Sequence, residues 1–359
     1  MERKLASIRV IADLLPIPDA DQIETAVVDG WTVVVKKGEF IVGQKIVFCE
    51  IDCWIPHTLA PFLSRGGEPR EYNGVKGERL KTIRLRKQLS QGLILPIARE
   101  LEIEYSHTFM NFEGALEDGK IPEGTDVTEL LGIIKWEPPI HPSLQGQAKG
   151  TFPTGIFAKS DQERAQNLNS SIFEHHVDEY FEVTMKLDGS SISVFNTGDE
   201  VGVASRNLWL KVNEENDENT FIKTAVSTGL MEAMKDFPEM LFQGELMGPG
   251  IQGNREGFDD FNIFIYNIQR KGSIFLKPEE RYEVLHSLLD KGVKVDHVPV
   301  IHRRIKLADI GITNMAELKA FSDKKSMRHP IVEGFVFKSH DSDFQFKIIN
   351  DKFLLKGGN

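Results

Sequence analysis

Cysteine is nearly absent: Cys49 and Cys53 are the only two in 359 residues, and both stand in one apolar run, KIVFCEIDCWIP. A pair at that spacing builds neither a zinc tetrad nor a disulfide framework, so the chain reads as a cytoplasmic protein of a reducing compartment. Long apolar runs are missing as well. No stretch approaches the roughly 20 residues that cross a bilayer, and the charged start MERK leads into no signal-peptide core, so no membrane association is expected. An excess of positive charge is also lacking: 43 Lys and Arg face 54 Asp and Glu, for a formal net charge of -11. Such a chain does not clamp nucleic acid by bulk charge, and any polyanion has to be met by a local patch. What the sequence does have is 40% hydrophobic residues, enough for proper cores, at a length that favours two domains.

Residues 1–134 read as short strands with polar turns. LASIRVIADLLPI, WTVVVKK, KIVFCEIDCWIP, LKTIRLR and GLILPIA are β-rich and separated by Asp, Gly and Pro, at spacings that suit a small Greek-key barrel of the OB type. Within it Arg79, Lys81, Arg84, Arg86 and Lys87 form the densest basic cluster of the chain, interrupted by Leu80, Ile83 and Leu85. A strand with one face on the core would offer these cations to phosphate as a nucleic-acid-binding surface, although charged edge strands also look like this simply to avoid aggregation. Residues 135–159, rich in Pro and Gly and without a sustained period, read as a linker. Residues 160–359 read as strands with helices inserted, an α+β domain with an antiparallel core. SDQERAQN, from Ser160, looks like a capped helix start whose Arg164 faces solvent or a ligand, solvent being the plainer reading. Further helices are expected over Glu218–Phe237, Lys277–Lys291 and Met315–Phe321.

The second domain is organised around Tyr180–Ser191, YFEVTMKLDGSS, where a strand-like run delivers Lys186 into a tight turn at Asp188 and Gly189 before Ser190–Phe195 continues as a strand. A lysine at the mouth of a sheet is a candidate nucleophile. With an unperturbed pKa near 10.4, only about one amine in 10³ is neutral at pH 7, so cations, burial or a divalent metal must depress it. GPGIQG, Gly248–Gly253, has the glycine spacing of a dinucleotide fingerprint, but no helical run follows to receive a pyrophosphate. It reads either as a plain turn or as backbone lying close to a ligand.

Lys-x-Asp-Gly alone is weak, at roughly 0.1 chance occurrences in a chain of this size. In order, however, the chain carries Lys186-Leu-Asp188-Gly189, Ser205-Arg206-Asn207, Gly244-Glu245, Phe264-Ile-Tyr266-Asn267, Glu333-Gly334-Phe-Val-Phe-Lys338 and Phe346-Lys347. This series resembles the motifs of the covalent nucleotidyltransferases, the superfamily of polynucleotide ligases and mRNA capping enzymes, and it covers the second half from about Ser160 to Lys356. An OB candidate before the core, with KLDGSS and GELMGPGIQGN, is similar to the ATP-dependent RNA ligases built from an N-terminal OB module and a C-terminal nucleotidyltransferase domain.

The resemblance implies that Lys186 attacks the α-phosphate of ATP, expels pyrophosphate and carries AMP as a phosphoramidate. The AMP then passes to a 5′-phosphate end, and a 3′-hydroxyl displaces it to seal the strand. By the same resemblance Arg206 contacts ribose and phosphate, Lys338 and Lys347 the α-phosphate, and Tyr266 stacks on adenine, with Phe264 the alternative on the same strand face. Asp188, Glu245 and Glu333 orient the ribose or hold the waters of Mg²⁺ or Mn²⁺. The family's last motif often has a second lysine where this chain has Ile349, so Lys352 substitutes or Lys347 acts alone. The implied partners are RNA ends or a nicked duplex containing RNA, acted on by a monomer. A GTP-dependent capping-type enzyme, and an RNA-binding protein retaining an inactive nucleotidyltransferase fold, stand as alternatives.

Overall fold

The computed structural model describes residues 4–97, 122–137, 146–213 and 217–356. The chain divides into two compact units near residue 138, with Gln166–Asn169 grouped with the first. No helix among the described residues is long and apolar enough to cross a membrane.

The first unit consists of short antiparallel strands. They are β1 (Ala6–Val10), β2 (Asp13–Pro16), β3 (Ile23–Val28), β4 (Trp31–Lys36), β5 (Lys45–Cys49), β6 (Cys53–Pro56), β7 (Arg70–Tyr72), β8 (Val75–Arg79), β9 (Ile83–Leu85), β10 (Gln88–Ser90), β11 (Leu93–Pro96) and β12 (Ile134–Lys135). They form small sheets, β1-β5-β11, β2-β3-β4, β12-β6-β8-β7 and the hairpin β9-β10. Period-2 alternation sends Ile8, Val47, Ile55 and Leu95 into one core with Val127, Leu131 and Ile133. Cys49 and Cys53 lie in it as buried thiols. Burial pushes the Cys49 thiol up to about 12, which makes it unreactive.

The basic cluster divides in two. Arg79 is inside, bonded to Asp52 at 2.8 Å with its guanidinium 3.6 Å from the centre of the Trp136 ring, so it braces the fold and is not offered to phosphate. Lys81, Arg84, Arg86 and Lys87 are exposed on or beside the β9-β10 hairpin.

The second unit contains β13 (Ala148–Thr151), β14 (Glu163–Arg164), β15 (Phe181–Lys186), β16 (Ser190–Asn196), β17 (Val201–Ser205), β18 (Leu208–Leu210), β19 (Met240–Met247), β20 (Asn262–Arg270), β21 (Ile274–Phe275), β22 (Asp296–His297), β23 (Val300–Ile305), β24 (Gly334–Ser339) and β25 (Gln345–Ile349). One sheet runs β13-β18-β17-β16-β19-β20-β21, with β22 beside β20; the other is five-stranded, β14-β25-β24-β15-β23. Both are antiparallel except for the pairs β14–β25 and β20–β22. Helices α1 (Thr220–Ser227), α2 (Leu230–Ala233) and α3 (Pro278–Asp290) supply apolar residues to the core of the larger sheet, with Ile192, Val194, Phe242 and Ile265. Helices α4 (Met315–Ser322) and α5 (Asp351–Leu355) complete the unit. The fold is thus α+β with antiparallel sheets, as the sequence leads one to expect.

Three expectations change. The single helix over 218–237 is broken at Gly229, whose φ of 79° is left-handed, so α1 and α2 are separate. The expected helix after Ser160 is instead strand β14 and a 3₁₀ turn: pairing with the edge strand β25 and burial of Arg164 and Ala165 override local propensity. Residues 148–159 are no free linker. β13 pairs with β18, and Phe152 and Phe157 sink into a core with Phe195 and Leu241, because two aromatics in that Pro- and Gly-rich run carry ample apolar area to bury. Residues 138–145 lie outside the described residues.

Candidate active site

Lys186 and Ser190 do not form a simple hairpin. β15 belongs to the five-stranded sheet and β16 to the larger one, so the turn Leu187–Gly189 passes from one sheet to the other. Alternation gives each sheet a polar face. On β15, Glu182, Thr184 and Lys186 share a face, in register with Lys338, Val336 and Gly334 of β24. On the larger sheet Ser191 and Ser193 sit opposite Glu245 and Gln243, while Ile192, Val194, Phe242 and Leu246 belong to the apolar core. Two glycines allow the close approach. A Cβ on Gly189 would lie 2.5 Å from the Leu246 carbonyl oxygen and 2.8 Å from Glu245 Cγ, and one on Gly334 would lie 2.1 Å from the Ile348 carbonyl oxygen.

Lys186 Nζ lies 2.6 Å from Glu333 Oε1, and the Gly189 N–H donates to Glu245 Oε1 at 3.0 Å. Burial by itself would lower the Lys186 ammonium pKa, but Glu333, Glu245 and Asp188 outweigh it and hold it up at about 12. Of the three causes expected to depress this lysine, namely cations, burial and a divalent metal, burial acts in the protein alone, and the surrounding carboxylates outweigh it. Burial raises Glu245 to about 7, despite the attraction of Lys186, and raises Glu333 as well.

The remaining motif residues separate into two groups. Asp161 accepts from Lys347 at 2.7 Å and from Arg206 at 3.3 Å, bringing those two cations together. The Tyr266 hydroxyl lies 3.1 Å from Ser191 Oγ, and its phenol is pushed up to about 12 by burial and the Glu245 charge. Phe264 packs on Phe258. Lys338 has other partners: its amine is buried against the Tyr266 carbonyl and Asn267 Oδ1. Lys352 pairs with Asp323 on the surface, and Ile349 is buried, which leaves Lys347 as the last motif's lysine at the site.

Sequence reasoning missed several neighbours. Asp188 is held by Arg255 at 3.1 Å, and Arg255 also lies over Phe353. Arg255 comes from the loop after Glu245, where Gln252 and Asn254 take φ of 43° and 47°, a strain typical of functional loops. The buried Glu256 beside it accepts from Ser326 and from the Arg328 N–H, tying that loop to the segment before Glu333. The glycine run after Glu245 was the available signal. It marked a backbone lying close to the site without naming the arginine. Arg164, expected in solvent, is buried, and its strand places it opposite Lys347.

Glu333 Oε2 is buried without a hydrogen-bond partner, and three carboxylates outnumber the one lysine among them. Among the described residues no three acidic, His or Cys groups lie close enough to hold an ion jointly. The residues fit a hydrated hard cation that touches one or two carboxylates.

Raised carboxylates have a stability consequence. Between about pH 4.5 and 7 the folded protein keeps a proton on Glu245 that the unfolded chain releases, so stability falls as pH rises through that window. Glu245→Gln should therefore melt several degrees above the parent at pH 8, with the difference gone near pH 4. Melting curves at the two pH values check this, and an equal or lower melting temperature at pH 8 refutes it.

Lys186 thus stands at a sheet end among Glu333, Glu245 and Asp188, with Tyr266 on the neighbouring sheet and with Lys347 and Arg206 joined through Asp161. Residues 5–97 match the family model of an OB-fold domain, and residues 179–353 match that of RNA ligase. Solved structures of Naegleria gruberi RNA ligase are similar over nearly the whole length. An apo aspartate-to-alanine variant is 38% identical, covering 99% of this chain and 98% of that one at a TM-score of 0.84. A lysine-to-alanine variant with ATP and Mn is 37% identical over 98% of each chain at 0.83, and a form with PPi is 38% identical over 99% of each at 0.83. No curated protein gives a significant match. The chain belongs to the RNA ligase family, with an N-terminal OB-fold domain followed by the ligase domain.

Proposed function

We propose that this protein is an ATP-dependent ligase that seals RNA 3′-hydroxyl and 5′-phosphate ends through a lysyl-AMP on Lys186. The observation that carries this reading is the meeting of Lys186, Glu333, Glu245 and Asp188 where the two sheets join, with Tyr266 on the same polar face. Naegleria gruberi RNA ligase has been solved with ATP and Mn and with AMP and Mn, which supports ATP and a divalent metal as the ligands here.

Lys186 Nζ is the nucleophile, and Glu333 fixes the direction of that amine from 2.6 Å. A divalent cation such as Mg²⁺ or Mn²⁺, held by Glu333 and Glu245 with Asp188 near, would supply positive charge that offsets the carboxylates and favours the neutral amine. Arg206 and Lys347 lie where they can leave Asp161 for phosphate oxygens. Arg164, buried on the strand beside Lys347, is a further phosphate contact of this reading, the planar guanidinium suiting a polyphosphate. Tyr266 offers its ring face to the base. Expulsion of pyrophosphate, transfer of AMP to a 5′-phosphate and attack by a 3′-hydroxyl all pass through phosphoryl transition states, which these cations stabilise.

Incubation with α-labelled ATP or GTP and a divalent metal, followed by a denaturing gel, tests the reading. Label from ATP supports it; label from GTP alone makes the protein a capping-type enzyme, and label from neither removes the covalent mechanism.

RNA meets the first unit at the β9-β10 hairpin in this reading. The turn residues Arg86 and Lys87 have φ of 47° and 69°. Two-residue hairpins of this kind favour Asn-Gly, and non-glycine residues there cost about 1–3 kcal/mol each. The strain keeps two cations at an exposed tip, with Arg84 and Lys81 behind them. The double variant Arg86→Asn, Lys87→Gly should melt slightly above the parent, yet bind single-stranded RNA with a log-affinity against log-salt slope shallower by about 1.4. An unchanged slope means that the turn does not touch phosphate.

A further inference from the structure

Lys338 is buried on β24, opposite Glu182 of β15, and its ammonium crosses from the five-stranded sheet to β20 of the other. There it donates to the Tyr266 carbonyl and, at 2.6 Å, to Asn267 Oδ1. A β-bulge explains why that carbonyl needs a donor. Gln243 pairs with Asn267 and Gly244 with Ile265, so Tyr266 is the extra residue between two consecutive partners. A bulged residue falls out of the ladder and its side chain is re-aimed, which is how bulges serve sites. The other end of the same residue is held as well, its hydroxyl 3.1 Å from Ser191 Oγ. Asn267 in turn donates to Ser160 Oγ at 2.8 Å, so the amide that receives the lysine is fixed too.

Resting on the ATP reading of the site, we propose that Lys338 is a positioning residue that sets the adenine platform by holding the bulged Tyr266, and that it makes no contact with the phosphates. Its amine cannot turn to a phosphate without leaving the Tyr266 carbonyl and Asn267 Oδ1 unsatisfied in the interior. The surroundings agree. Burial and the Arg281 guanidinium hold the Lys338 pKa well below its ordinary value, with the buried Glu182 carboxylate pulling the other way. The Glu182–Arg281 ion pair completes a buried charge set that keeps the lysine in place.

The test is a double-mutant cycle in the full chain with Lys338→Met and Tyr266→Ala, measuring initial self-adenylylation across ATP concentrations. Lys338→Met should raise the half-saturating ATP concentration at least tenfold while lowering the saturated rate less than threefold. In the Tyr266→Ala background it should add less than twofold, because the platform it holds is already gone. Losses that multiply, or a saturated rate that collapses with half-saturation unmoved, overturn the proposal in favour of a phosphate contact. A lowered melting temperature with ATP saturation unmoved overturns it in favour of a purely structural role. Should Lys338→Met fail to fold, Ser191→Ala frees the other end of the ring and must show the same rise and the same silence behind Tyr266→Ala. Failure of the wild-type protein to take label from ATP would instead refute the function reading, which separates the two.

Discussion

Lys186→Ala protein will take no covalent label from α-labelled ATP, a loss of at least 10⁴-fold on the order of what removing a covalent nucleophile costs. Among the described residues the other two motif lysines have partners of their own. Lys347 is bonded to Asp161, and Lys338 is buried behind Tyr266. The fold should persist near neutral pH, because Glu245 and Glu333, already raised by burial, answer the loss of their cation by binding protons. That response has a cost at higher pH: the variant should lose thermal stability relative to the parent as pH climbs from 6 to 9, since carboxylates without Lys186 then ionise in a crowded site. Gel labelling and melting curves at both pH values check the two halves. A variant that still forms an acid-labile adenylate would remove Lys186 from the mechanism.

The motif order was legible because it rests on chemistry that only certain residues provide, and each motif sits on a strand whose alternation is plain in the sequence. FQGELM and FEVTMK show in advance which side chains share a face. Which faces meet was not legible. Nothing in KLDGSS says that the turn leaves one sheet and enters another; a tight turn followed by a second strand was the local expectation. The hydrogen-bond partner of Lys338 escaped for the same reason: its spacing from Glu333 is a motif, whereas its partner is the carbonyl of a bulged residue in the other sheet. Arg79 shows the limit of reading charge in one dimension. Its neighbours Arg84, Arg86 and Lys87 are exposed, while it is taken up by Asp52 and Trp136, one before it in sequence and one long after. The lysine environment was read with a divalent metal in it; in the protein alone the carboxylates of the series act on the lysine first and outweigh the lowering by burial.

Glu333→Ala separates two opposing effects, and their magnitudes decide the outcome. Glu333 is the foremost of the groups that raise Lys186 to about 12, so its removal lets the lysine pKa fall and increases the neutral fraction of the amine. If the carboxylate did nothing else, the variant would adenylylate faster than the parent at pH 7. Against this, the amine loses the partner that fixes its direction 2.6 Å away, and the site loses the carboxylate whose second oxygen is buried without a partner. Misdirecting a nucleophile and removing a charge-organising ligand each cost roughly 10²-fold or more. The net expectation is a loss on the order of 10²–10³ at pH 7 in single-turnover adenylylation. The pH dependence carries the signature of the opposing term. Because only the neutral amine reacts, the rate rises with pH, and in the variant that rise should level off at lower pH than in the parent. Glu333→Gln should show the same earlier levelling with a smaller loss, since an amide oxygen can still direct the amine. A variant within threefold of the parent at pH 7 would place Glu333 outside the reaction, and a rate above the parent's would mean that its carboxylate serves only to hold the nucleophile in check.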